Sequence, residues 1–200
     1  MAPAQKSRSR PEPAQLPNGD AVRILLEQHA RIDELFGRVR NASGKSKQQL
    51  FDELRRLLTV HEAAEEMIVR PVTRAASGGH RVASARNAEE GKATHMLANL
   101  ERLGSSSPGF SAELAELETN VAQHAQHEES EEFPLIIETR SEQQRAWMGM
   151  AVRAVQTLAP THPHVTAAGS TIAQYVLGPI ASLLDHGRDA AKRSQQEADP

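Results

Sequence analysis

The chain has 200 residues, enough for one domain with extensions rather than two full domains. Lys and Arg total 23 against 26 Asp and Glu, a formal charge of −3, which argues against a nucleic-acid-binding surface. Cysteine is absent, so disulfides, thiol chemistry, iron–sulfur clusters and thiolate zinc sites are excluded, and any metal must be held by nitrogen and oxygen.

Residues 1–19, rich in Pro, Ser, Gln and Arg without an apolar run, read as a disordered leader and not as a secretory signal. Asp20 is a good N-cap for a first helix to Arg40, with Val22, Leu25, His29, Ile32, Phe36 and Val39 at helical spacing. Asn41–Ser46 is a turn. A second helix from about Lys47 carries Leu50, Leu54, Leu57, Leu58, His61 and Ile68, is kinked or ended by Pro71, and closes at Ser77-Gly78-Gly79. A third spans Arg81 to Leu103. A fourth starts near Ser111, carries Leu114, Leu117, Val121 and His124, and meets Pro134. Ser141 and Gln144 form a capping box for a fifth helix, whose expected apolar stripe is Trp147, Met150, Ala154 and Leu158. Trp147, Met150, Leu158, Tyr175 and Leu183 are expected to pack this extension, residues 141–195, on a bundle over 20–140. A last helical stretch runs from Ser170 to Arg193, and 196–200 form a disordered tail. No alternating strand pattern occurs, so the class is all-α: an antiparallel up-down-up-down four-helix bundle with additional C-terminal helices. No run is long and apolar enough for a membrane span, and a cytoplasmic location is expected.

An internal repeat carries the chemistry. His61-Glu-Ala-Ala-Glu65-Glu66 and His124-Ala-Gln-His-Glu128-Glu129 are each followed, after four intervening residues, by a proline. The preceding helices each carry one His, His29 and His95. His29 and His61 both lie roughly 20 Å from the first turn, at ~1.5 Å per residue, and so are level. His61 and His95 are level from the opposite turn. His95 and His124 match less well, at roughly 14 and 20 Å from theirs. Glu65 and Glu128 are about 40° around the helix from their His and share its face. Buried carboxylates are costly unless paired or metal-bound, and two divalent ions would remove that cost. His nitrogen with carboxylate oxygen suits iron, with manganese or zinc as alternatives.

On these paired His-x-x-x-Glu-Glu-x-x-x-x-Pro motifs the chain resembles the hemerythrin-like, HHE cation-binding family over about Asp20 to Pro134. The resemblance implies a four-helix bundle around a non-haem di-iron site. His29 and His61 would bind one iron, His95 and His124 the other, and Glu65 and Glu128 would bridge. The oxygen carriers of the family place a further His four residues before His95, where this chain has Gly91. That glycine is expected to leave an open position beside the metal. Carriers also bridge with the acid corresponding to Glu129. Its angle, about 140° from His124, makes Glu128 the expected bridge. The implied function is binding or reaction with a small oxidant (dioxygen, peroxide or nitric oxide) in preference to reversible oxygen storage. Catalase-like turnover is one form of it. The alternative is an iron- or oxygen-sensing or iron-handling module without turnover. A protein partner and the electron donor are not readable.

Of the remaining polar residues, Glu62, Glu66 and Glu90 read as solvated charges, Glu90 in preference to a ligand acting through water. His127 and Glu131 fall near the core face of their helix. His80, in a Gly-rich turn, and His162 and His164, in a loop, read as ordinary surface residues.

Overall fold

The computed structural model describes residues 10–158. Every regular element among them is helical: a 3-10 turn at Pro13–Gln15, then α1 (Ala21–Asn41), α2 (Gly44–Ala64), α3 (Arg70–Ala75), α4 (Gly79–Leu103), α5 (Phe110–His127), α6 (Phe133–Thr139) and α7 (Glu142–Leu158). Glu65–Val69 and Glu128–Glu132 are single π turns that join α2 to α3 and α5 to α6. None of the described helices is long and apolar enough to cross a membrane.

The bundle is made by α1, α2 with α3, α4, and α5 with α6. Asp20 opens α1 by accepting the Val22 N–H at 2.9 Å. Gly104, at φ 79°, ends α4 in a conformation that other residues adopt only with strain. Two apolar clusters fill the interior. One, at the α7 end, contains Val22, Leu25, Ala64, Val69, Phe133 and Val152. The other contains Leu35, Phe36, Phe51, Leu54, Leu100 and Phe110. Each Val, Leu or Phe among them contributes about 1.5–3 kcal/mol on burial. The polar layer lies between the clusters. His29 falls between Leu26 of the first and Ile32 of the second, and His61 between Leu58 and Ala63.

Several expectations are corrected. Residues 10–19 were expected to be disordered, but the turn at Pro13–Gln15 packs beside α1 and Leu16 rests on the first cluster. Arg23 secures this segment by donating to the Leu16 carbonyl at 3.0 Å. Pro71 and Pro134 do not end their helices. A π turn precedes each, and the wider turn accommodates the ring and the missing N–H.

The fifth predicted helix is α7, with the expected reciprocal capping box: Ser141 N–H donates to Gln144 Oε1 at 3.0 Å and Gln144 N–H to Ser141 Oγ at 3.3 Å. Its phase is one position off. Met148, Ala151, Val152 and Val155 face the bundle, whereas Trp147 and Met150 are 41% and 53% exposed. Two contacts set this phase. Arg145 donates to Asp20 Oδ2 at 2.7 Å, and Gly149 lies so close to the chain at Gly19 that a Cβ would be 1.9 Å from its carbonyl oxygen. The expected helix at 170–193, with Tyr175 and Leu183, and the loop of His162 and His164 lie outside the described residues.

Candidate metal centre

Four of the six sequence-predicted ligands converge in one group: His29, His61, Glu65 and Glu128 have ligand atoms within 4.8 Å of one another. A second group, built to the same limit, contains Glu65, Glu90, His124 and Glu128. Glu65 and Glu128 belong to both. Each sends its two oxygens in different directions. Glu128 Oε2 lies 3.3 Å from His29 Nε2, and Oε1 lies 3.2 Å from His124 Nε2. Glu65 Oε1 lies 3.4 Å from His61 Nε2, and Oε2 lies 3.8 Å from His124 Nε2.

His95 is the exception. It is exposed and belongs to neither group. The inward residues of α4 are Ala83, Arg86, Glu90, Ala93, Leu97 and Leu100, and His95 is five positions beyond Glu90, about 140° around the helix. Gly91 is exposed as well, with no atom within 4 Å of its Cβ position, so it opens no space beside a metal. Glu90, read from the sequence as solvated, is buried and takes the place expected of His95. The loose level of His95 was the available signal. Glu90 is 14 residues before Gly104 and His124 is 13 beyond Ser111, so these two are level.

Each imidazole is fixed from behind. His29 Nδ1–H donates to Glu129 at 2.7 Å, His61 Nδ1–H to Gln28 at 2.8 Å, and His124 Nδ1–H to Glu89 at 3.0 Å. His127 shares Glu89 at 2.9 Å. These acceptors place the proton on Nδ1 and leave Nε2 to turn inward, which is how a second layer of hydrogen bonds orients metal-binding imidazoles. Glu129, expected to point away, is buried. The π turn, in which the Phe133 N–H bonds to the Glu128 carbonyl five residues back, alters the angles that an ideal α-helix would give.

Among the buried side-chain atoms without a hydrogen-bond partner are His29 Nε2, His124 Nε2, both oxygens of Glu65 and Oε2 of Glu128. Buried polar atoms are rarely left unmatched, and these converge on the two groups. The donor set of imidazole nitrogen and carboxylate oxygen fits divalent iron, manganese or zinc.

Arg70 supplies positive charge beside the second group. Its guanidinium is fully buried, contacts Glu90 and Glu132, and lies 3.1 Å from Glu128 Oε1 and 3.8 Å from Glu65 Oε2. In the other copy of the repeat the same position is Phe133, stacked on His29 at 5.6 Å. The two halves thus differ by a paired exchange: an imidazole against a phenyl ring in one, a carboxylate against a guanidinium in the other. Sequence reasoning passed over Arg70 because it lies five residues past Glu65, across the π turn.

The electrostatics are those of a crowded acidic layer. Burial, then the Glu128 charge, pushes the Glu65 carboxyl up to about 7. Burial would raise Glu128 too, but the charge and hydrogen bond of His124 hold it well below the ordinary range. Burial works to lower His29, but the neighbouring carboxylates of Glu128 and Glu129 carry it up to about 9. His61 is driven well down, by burial first and then by the charge of His29. Glu62, expected in solvent, is partly buried, accepts from Thr94 Oγ1 at 3.0 Å, and is pushed by burial to about 7.

A model of the hemerythrin HHE cation binding domain matches residues 20–136, more than half of the chain. The chain belongs to the hemerythrin HHE cation-binding family. Among solved structures, this chain is similar to a hemerythrin HHE cation-binding domain-containing protein from Mycobacterium kansasii, at 24% identity and a TM-score of 0.62, over 88% of this chain and 98% of that one. That likeness concerns the fold. No curated protein matches. The matched span contains every donor of both groups and ends at Ile136, in α6.

A cavity of about 840 Å³ lies beside the donor layer. His29, His61, Glu62, His124 and Glu129 line its polar end.

Proposed function

We propose that the chain holds two non-haem iron ions in these groups and uses them to reduce a peroxide. The observation that carries this reading is the division of Glu65 and Glu128, each with one oxygen toward either group. His29 and His61 would hold one ion, Glu90 and His124 the other, and Glu65 and Glu128 would span both. Bound as a ferrous pair, the ions supply two electrons, enough to break one O–O bond.

The protein's own groups do the rest. Glu129, Gln28 and Glu89 keep the imidazoles in the tautomer that offers Nε2. Arg70 offsets the charge of the carboxylates when the ions are absent. Glu62 faces the cavity beside His61 and is placed to pass a proton to the leaving oxygen. Three carboxylates around the pair, Glu65, Glu90 and Glu128, favour the more highly charged ferric state, which supports reduction of an oxidant over reversible oxygen carriage.

Stopped-flow mixing of the anaerobic ferrous protein with hydrogen peroxide tests this. About one peroxide should be consumed for every two ferrous ions oxidised, faster than by free iron. A stable oxygenated form that comes and goes under oxygen and argon would identify a carrier and overturn the proposal.

A further inference from the structure

The cavity is far larger than hydrogen peroxide requires. A water molecule occupies about 30 Å³ of liquid and hydrogen peroxide is of similar size, whereas cavities of about 300–1,000 Å³ accommodate organic ligands. Here the volume is about 840 Å³. Part of its wall is apolar: Leu26, Ile32 and Phe36 from α1, Leu58 from α2 and Val121 from α5. Small side chains create the room. Ala93 lies on the α4 side, and Ala30, Ala122 and Ala125 flank the gap between α1 and α5. Replacing any of these alanines by a large residue would narrow the space.

One polar end lies at the donor layer, and further polar side chains, Arg10, Glu12, Asp33 and Glu118, also line the cavity. His29 and His124 line the cavity, and their Nε2 atoms are among the buried atoms without a partner. The lining also contains five acidic side chains, Glu12, Asp33, Glu62, Glu118 and Glu129, against one arginine, Arg10. Arg10 is paired to Glu129. An anionic ligand such as a fatty acid would meet this excess of carboxyl groups. A neutral molecule with an apolar body and one polar end would not.

We infer that the cavity binds an organic hydroperoxide, with its hydrocarbon body between α1, α2 and α5 and its peroxy end at the layer of His29 and His124. This rests on the peroxide reading above and names its substrate class. The reaction would be ROOH + 2 e⁻ + 2 H⁺ → ROH + H₂O. The O–O bond breaks, the C–O bond is kept, and the electrons come from the two ferrous ions. One proton completes the alcohol, and the other completes water.

Binding is tested without redox chemistry. Cumyl alcohol, the product of cumene hydroperoxide, is titrated calorimetrically into zinc-loaded and metal-free protein. Saturable binding is expected. It should weaken by about ten-fold or more in Ala93→Phe, compared at equal metal content. Ala122→Phe, at an exposed position on the rim, should act likewise and serves if the buried substitution impairs folding. No saturable binding to either form of the wild type, or affinity unchanged in the folded variants, overturns the inference. Benzoate binding as tightly as the alcohol overturns the neutral assignment.

The anaerobic ferrous protein should then convert cumene hydroperoxide to cumyl alcohol. Acetophenone as the main product, the mark of one-electron cleavage, contradicts the step. A wild type that consumes hydrogen peroxide but does not bind the alcohol refutes this inference alone. One that binds the alcohol but reduces neither peroxide refutes the oxidant reading, and the substrate class with it.

Discussion

Glu65 and Glu128 occupy equivalent positions in the two repeats, and each directs one oxygen at an imidazole of either donor group. Both are fully buried. Two buried carboxylates with three oxygens lacking a hydrogen bond would be a liability in an apolar bundle unless cations lie between them. The ligand sets, the charge of Arg70 and the anchored imidazoles all follow from that central pair.

Substitutions should separate ligands from bystanders. His61→Ala should lose about one of two ions, because the first group then keeps a single imidazole. His95→Ala and His80→Ala should retain full metal and melt as the parent does, since both side chains are exposed. Metal content by mass spectrometry, with melting temperature, makes the comparison. Loss of metal in His95→Ala would restore the histidine to the site and displace Glu90.

Arg70→Met addresses the paired exchange between the repeats. Without the guanidinium, Glu90, Glu128 and Glu132 are left buried with little positive charge. The metal-free protein should lose about 3–5 kcal/mol in chemical denaturation. The loss should be smaller in metal-loaded protein, where bound cations take over the carboxylates. Equal losses in the two forms would mean that Arg70 is independent of the metal layer.

Proton linkage gives a definite sign. His29 titrates at about 9 in the folded chain against an ordinary 6.5, so its contribution is complete below 6.5 and is lost as pH rises through 9. Glu65 at about 7, against an ordinary 4.5, acts in the same direction: folding favours its protonated form, and this contribution is lost as pH rises through 7. Metal-free protein should therefore melt at a lower temperature at pH 8.5 than at pH 5.5. Metal binding displaces those protons, so the stabilisation by added metal should grow over the same window. Melting curves with and without metal at both pH values check this, and a metal effect that shrinks with pH would contradict it.

Much of this arrangement was legible in the sequence. The repeat identifies His61, Glu65, His124 and Glu128 because four-residue spacing keeps two side chains on one face of a helix. Asp20 and the Ser141–Gln144 box are local signals that need only their own neighbours. The failures come from longer-range effects. His95 looked inward because histidines recur in the other helices, but α4 is turned by the packing of Leu97 and Leu100. Arg70 and Glu129 were hidden by the π turns, which a constant angle per residue cannot represent. The phase of α7 depends on Arg145 reaching Asp20 and on Gly149 touching Gly19, contacts between residues more than a hundred positions apart.

Two glycines test the packing. Gly91→Ala should be neutral or stabilise by up to about 1 kcal/mol, since it lies within α4 and its Cβ meets nothing. Gly149→Ala should cost about 1–3 kcal/mol by forcing α7 from the chain at Gly19. Denaturation midpoints would compare them, and a Gly149→Ala protein as stable as its parent would show that α7 does not dock as described.

The central claim is that the two donor groups together hold a pair of ions. Anaerobic titration of metal-free protein with ferrous iron tests it most directly, with bound iron measured after removal of the excess. Saturation at about two irons per chain is expected. Glu65→Ala and Glu128→Ala should each weaken both sites, because each carboxylate belongs to both. Saturation at a single iron, or a Glu128→Ala protein that still binds the full complement with parental affinity, would contradict the account.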